Sequence, residues 1–128
     1  MKFAKQMFKI EKELKVLGHK VYIPKDSERF LDDDSIKDNA GFVIKGDYIQ
    51  NHFKKIAKSE AILVLNYNKN NIDNYIGGNT LMEIGLAKYL KKNIYLYNNI
   101  PSKKDLSYVT EIEAVEPIVI SGDLKLIK

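Results

Sequence analysis

The run Ala61-Ile62-Leu63-Val64-Leu65 limits the possible folds of this chain more than any other stretch. A strand with one wet face alternates apolar and polar residues. An unbroken apolar run fits a strand covered on both faces, and such strands belong to parallel sheets packed between helices. The run is far shorter than the roughly 20 apolar residues that cross a bilayer, so no membrane association is expected. Three further segments read as strands: Val21-Tyr22-Ile23 within His19–Pro24, Ile94-Tyr95-Leu96-Tyr97, and Pro117–Ile120.

Helical spacing fills the intervals. Phe3, Met7, Phe8, Ile10, Leu14 and Leu17 recur at steps of three and four, which places them on one apolar stripe ended by Gly18. Residues 47–58 repeat the pattern with Tyr48, Ile49, Phe53, Ile56 and Ala57 inward, and put His52 at the surface or half-buried. Leu81–Leu90 and Tyr108–Val115 complete the set. Residues 25–47 are polar and interrupted by Asn39, Gly41 and Gly46-Asp47, and read as a solvated loop or a lid. Alternating strands and helices predict an α/β fold with a mostly parallel sheet and helices on both faces.

Composition narrows the chemistry. The 128 residues suit a single domain spanning 1–128, with 45% hydrophobic residues to build its core. The absence of cysteine excludes disulfides, a thiolate zinc site and a cysteine nucleophile, and His19 and His52 are too few for a histidine-rich metal centre. Asp32-Asp33-Asp34 is better read as loop than as a metal site, because adjacent side chains rarely converge on one ion. No metal is expected. The net charge of +4 comes from dispersed lysines, paired at most as in Lys54-Lys55 and Lys91-Lys92, without the basic stripe of a nucleic-acid surface. No apolar signal core follows Met1, so a cytoplasmic protein is expected.

In a parallel sheet, ligands lie beyond the carboxyl ends of the strands. The segment after Leu65 therefore comes first: Asn66-Tyr67-Asn68, Asp73, Tyr75, then Gly77-Gly78-Asn79-Thr80-Leu81-Met82-Glu83-Ile84-Gly85. The glycine pair lets backbone approach a ligand just before a helix, and the start of a helix favours an ionised carboxylate. Thr80-Leu81-Met82-Glu83 also matches a capping box, in which Glu83 would bond back to the Thr80 backbone. A glycine at position 85, inside a helix, is about 1 kcal/mol worse than alanine and suggests a close packing partner there.

The strand 61–65, the polar loop, Gly78-Asn79-Thr80 and Met82-Glu83-Ile84-Gly85-Leu86-Ala87 together resemble the nucleoside 2-deoxyribosyltransferase family. Its superfamily includes the 2′-deoxynucleoside 5′-monophosphate N-glycosidases. The resemblance runs from about Phe3 to Ile120, and the family's opening strand, which precedes the helix matched by Phe3–Leu17, has no counterpart among these residues. It implies a Rossmann-like (flavodoxin-like) three-layer sandwich. It implies Glu83 as a nucleophile that attacks C1′ of a 2-deoxyribosyl group, with Asn66, Asn68, Gly77, Gly78 and Asn79 around the substrate. The substrate would be a small deoxynucleoside or deoxynucleotide, with no cofactor and with assembly into a homodimer or larger homo-oligomer. The family often places an acid at the end of the central strand, where this chain has Asn66. That departure keeps a second expectation open, a nucleotide-binding module that uses the same pocket without turnover.

Overall fold

A computed structural model describes residues 4–21 and 39–127, with side chains for 6–21, 46–47 and 49–127. Two compact units divide the chain, Met1–Lys55 and Ile56–Lys128.

In the first unit, α1 (Ala4–Val16) carries the periodic stripe. Ile10 and Leu14 are buried and Met7 half-buried, whereas Phe8 and Leu17 are exposed. Phe8 follows Met7 directly, and a step of about 100° per residue turns it off the stripe. The helix ends as the glycine predicts. Gly18 takes φ +94°, its N–H donates to the Lys15 carbonyl, and the His19 N–H donates to the Leu14 carbonyl. These are the two bonds of a Schellman cap. Val21 is not in a strand, and the remainder of the proposed 21–23 strand, like Asp32–Asp34, lies outside the described residues.

Helix α2 (Asn39–Lys58) is longer than the sequence suggests. Residues 39–47, expected as loop, are helical despite Gly41, Gly46 and Asp47. Each glycine costs about 1 kcal/mol in a helix, which a helix of 20 residues carries more easily than a short one. Near its end, Ile56 is buried, Phe53 and His52 are half-buried, and Ala57, expected inward, is exposed.

The second unit holds the sheet. Strands β1 (Ala61–Val64), β2 (Asn93–Leu96) and β3 (Ile118–Val119) lie in the order β1-β2-β3. Both pairings are parallel, with Ala61 opposite Asn93 and Tyr95 opposite Ile118. Helix α3 (Gly78–Tyr89) connects β1 to β2, and α4 (Val109–Ala114) connects β2 to β3. The parallel α/β sheet expected from the runs 61–65, 94–97 and 117–120 is present, with strands at 61–64, 93–96 and 118–119. Coverage differs between strands. Ile94, Tyr95 and Leu96 of the middle strand are buried in succession, as a strand covered on both faces requires, while Ala61, Ile62 and Leu63 of β1 are half-buried. Ile76, Ile84, Ala87, Val109, Ile112, Ile120 and Leu124 are buried with the strands. Among the described residues no helix is long and apolar enough to cross a membrane.

Candidate functional site

The carboxyl ends of β1 and β2 are joined by asparagine amides rather than by sheet alone. Asn66 is completely buried, the one buried polar residue among the described residues. Its Nδ2 donates to the carbonyls of Asn98 and Asn99, at 3.0 and 2.8 Å. Its Oδ1 accepts the Asn98 N–H at 2.8 Å, and Asn98 Nδ2 donates back to the Asn66 carbonyl at 3.1 Å. Both side-chain donors of Asn66 are therefore engaged, and the amide locks two neighbouring loops together. Losing such a bond in a buried place costs about 1–3 kcal/mol. Asn66, expected around the substrate, is thus a fully buried amide with both donors on backbone carbonyls, the arrangement of a structural clamp. A carboxylate could not replace it, because it would face two carbonyl oxygens without a proton to offer.

The loop that follows is a short hairpin. Lys69 and Ile72 exchange both backbone hydrogen bonds, at 3.0 and 2.9 Å. Asn70 and Asn71 between them sit at φ +54° and +62°. Two successive positive φ values define the turn that matches strand twist, and asparagine tolerates them better than most residues. Asn68, expected against the substrate, is exposed, and its Oδ1 accepts the Asn74 N–H at 3.0 Å. Its carbonyl group thus holds the returning arm of the hairpin, where Asn74 again adopts a positive φ of 58°. The Tyr75 N–H then donates to the Tyr67 carbonyl.

Four half-buried tyrosines occupy this edge of the sheet. The rings of Tyr67 and Tyr97 meet edge to face with centroids 5.4 Å apart, a preferred aromatic geometry. Lys69 Nζ lies 5.9 Å from the Tyr75 ring centre. Tyr108, just ahead of α4, donates its hydroxyl proton to the carbonyl of Ile76. Burial, and secondarily the neighbouring Tyr75, push the Tyr108 hydroxyl above its usual pKa of 10.0. The loops after β1 and β2 are therefore tied twice, by the Asn66–Asn98 amides and by Tyr108 on Ile76.

Gly77 caps α3 with extended backbone and no side-chain hydrogen bond. Gly78, Asn79 and Thr80 form the first turn, so Thr80 lies inside the helix and the capping box expected from Thr80 and Glu83 is not formed. Glu83 falls on the second turn. Asn79, Thr80 and Glu83 are half-buried and share one face at steps of three and four, between exposed Met82 and buried Ile84. No acidic residue occupies the first turn. Gly85 also departs from expectation: it is exposed, and among the described residues nothing lies within 4 Å of where its Cβ would be.

The site is thus a helix start with a half-buried carboxylate one turn in, preceded in the chain by a loop rich in amides and phenols. Of the residues singled out from sequence, Gly77, Gly78, Asn79 and Glu83 share this helix, and Asn66 and Asn68 shape the loop that leads to it. Asn98 and Tyr108 were missed. The signal for Asn98 was present, since Asn98-Asn99 follows β2 as Asn66 follows β1. No group of three or more His, Asp or Glu residues arranged to hold a metal occurs among the described residues. Comparison with known proteins brought no relative: no family model, curated protein or solved structure matches the chain.

Proposed function

We propose that this chain cleaves or transfers the N-glycosidic bond of a 2′-deoxynucleoside or its 5′-monophosphate, on a Rossmann-like three-layer frame. The observation that carries the reading is the position of Glu83. It is a half-buried carboxylate on the second turn of α3, on the face it shares with Asn79 and Thr80. In the proposed reaction a Glu83 carboxylate oxygen attacks C1′, and the C1′–N bond breaks with its electron pair passing to the base, which takes up a proton. Water or a second base then attacks C1′ and releases the glutamate. Covalent capture of this kind divides one high barrier into two lower ones. The reading involves a small-molecule substrate and no metal or organic cofactor, and it includes assembly of copies into a homodimer or larger oligomer.

One observation favours a second reading, a nucleotide-binding module without turnover. The position where the resemblance places an acid is held by Asn66, whose amide protons are both engaged. A leaving base would then need its proton from elsewhere, and an amide is a poor general acid. Incubation of the protein with each deoxynucleoside and deoxynucleoside monophosphate, followed by chromatography for free base, separates the two. Release that vanishes in Glu83→Ala supports the enzyme. Saturable binding without release supports the module.

A further inference from the structure

Two helices begin after the carboxyl ends of β1 and β2, and one residue takes part in both beginnings. Tyr108 stands immediately ahead of α4, and its backbone carbonyl accepts the Ile112 N–H at 3.2 Å, the bond that opens that helix. Its side-chain hydroxyl donates to the carbonyl of Ile76. Ile76 is buried and directly precedes Gly77, whose own carbonyl accepts the Leu81 N–H at 2.9 Å and opens α3. Neither start is capped by a side chain of its own. At α3 the Tyr75 ring crowds the place for one: a Cβ on residue 77 would lie 3.3 Å from Tyr75 Cε1, where a capping serine or aspartate would have to fit. The residue before a helix cap sets the angle at which the chain enters the helix. At α3 that residue is Ile76, held by a tyrosine 32 positions further along the chain.

We infer that Tyr108 is a positioning residue that latches the entry of α3 to the entry of α4, so that the first turn of α3 loosens when this one hydroxyl bond is lost. With six residues, α4 is too short to persist as a helix by itself. Burial of Val109 and Ile112 fixes it instead. The latch therefore ties the start of α3 to a segment that the core already holds. Without the hydroxyl, the Ile76 carbonyl must turn toward another donor or stay unpaired, and the peptide that it shares with Gly77 turns with it. The latch goes beyond the chemistry read at Glu83, because it concerns how that residue's helix is held.

The test is amide hydrogen exchange under native conditions, on the wild type and two variants. Tyr108→Phe keeps the ring and removes the hydroxyl. Ile112→Val trims a core side chain of α4 and keeps the hydroxyl, so it lowers overall stability without touching the latch. Amides of β2, which report unfolding of the whole unit, should exchange faster in both variants. The Leu81 amide should exchange about tenfold faster in Tyr108→Phe alone, the range of one hydrogen bond, and the Ile76 carbonyl-carbon resonance should shift in that variant. An unchanged Leu81 rate or an unmoved Ile76 resonance in Tyr108→Phe overturns the latch, as does an equal rise at Leu81 in Ile112→Val. Base release is read beside it on the same proteins. A wild type that releases no base removes the reaction proposed for Glu83 and leaves the exchange result to decide the latch.

Discussion

Asn66 shows how one buried amide can decide what a site is able to do. With Nδ2 on two carbonyls and Oδ1 on an N–H, it joins the ends of β1 and β2 in a way that needs both donors and acceptor. Asn66→Asp should therefore destabilise the protein by about 1–3 kcal/mol at neutral pH. The pH dependence has a definite sign. Burial opposite two carbonyls raises the folded-state pKa of the new carboxyl above its unfolded value. Stability is then greatest below the unfolded pKa and is lost as pH rises through the folded one. Urea midpoints of wild type and variant at mildly acid and neutral pH check this, and a variant that gains stability toward neutral pH would contradict the clamp. Tyr108 makes a related prediction at the alkaline end. Its hydroxyl is held above the usual value of 10.0, chiefly by burial, so the protonated form is favoured by folding. Stability should fall as pH rises from about 10 through the raised pKa, and Tyr108→Phe should remove that part of the fall. Equal alkaline losses in both proteins would show that the phenol is not the group responsible.

At the scale of elements, local chemistry explains where the chain turns and also where sequence reading stops. Gly18 announces the end of α1 because glycine is the residue that takes a left-handed cap without strain. The same cap ends α3 without a glycine. Lys91 sits at φ +61°, its N–H on the Lys88 carbonyl and the Lys92 N–H on the Ala87 carbonyl. A lysine gives no sequence signal for that conformation, so the end of α3 was legible only through loss of its apolar spacing. Lys91→Gly should relieve left-handed strain and raise stability by about 0.5–1 kcal/mol, read from chemical denaturation at constant slope. A loss of stability would mean that the lysine side chain contributes more than its backbone strain removes. The strands at 61–64, 93–96 and 118–119 were legible from apolar runs. The helix over 39–47 was not, because Gly41, Gly46 and Asp47 are ordinary breakers that a long helix can absorb. The capping box failed for a different reason. The pattern at Thr80–Glu83 is real, but Gly77 starts the helix three residues earlier, so Thr80 never reaches the capping position.

At the scale of the molecule, the candidate site belongs wholly to the unit Ile56–Lys128. The parallel sheet gathers its strand ends there, and the Asn66–Asn98 and Tyr108–Ile76 bonds fasten the loops that follow β1 and β2. The direction of the sheet could be read from the sequence, since it follows from hydrophobic pattern and chain alternation. The division of labour among the asparagines could not, because clamp and ligand contact call for the same side chain. Glu83 carries the central claim, and Glu83→Gln tests it most directly. Glutamine keeps the size and a hydrogen-bonding carbonyl but cannot attack a sugar carbon as a carboxylate does. Because size and an acceptor oxygen are retained, the substitution should change the thermal midpoint little. The decisive measurement is the rate of base release from deoxynucleosides and their monophosphates by wild type and Glu83→Gln in one buffer, with binding followed in parallel. Release by the wild type that is abolished in the variant, with folding and binding retained, is the predicted result; release at equal rates by both proteins would contradict it.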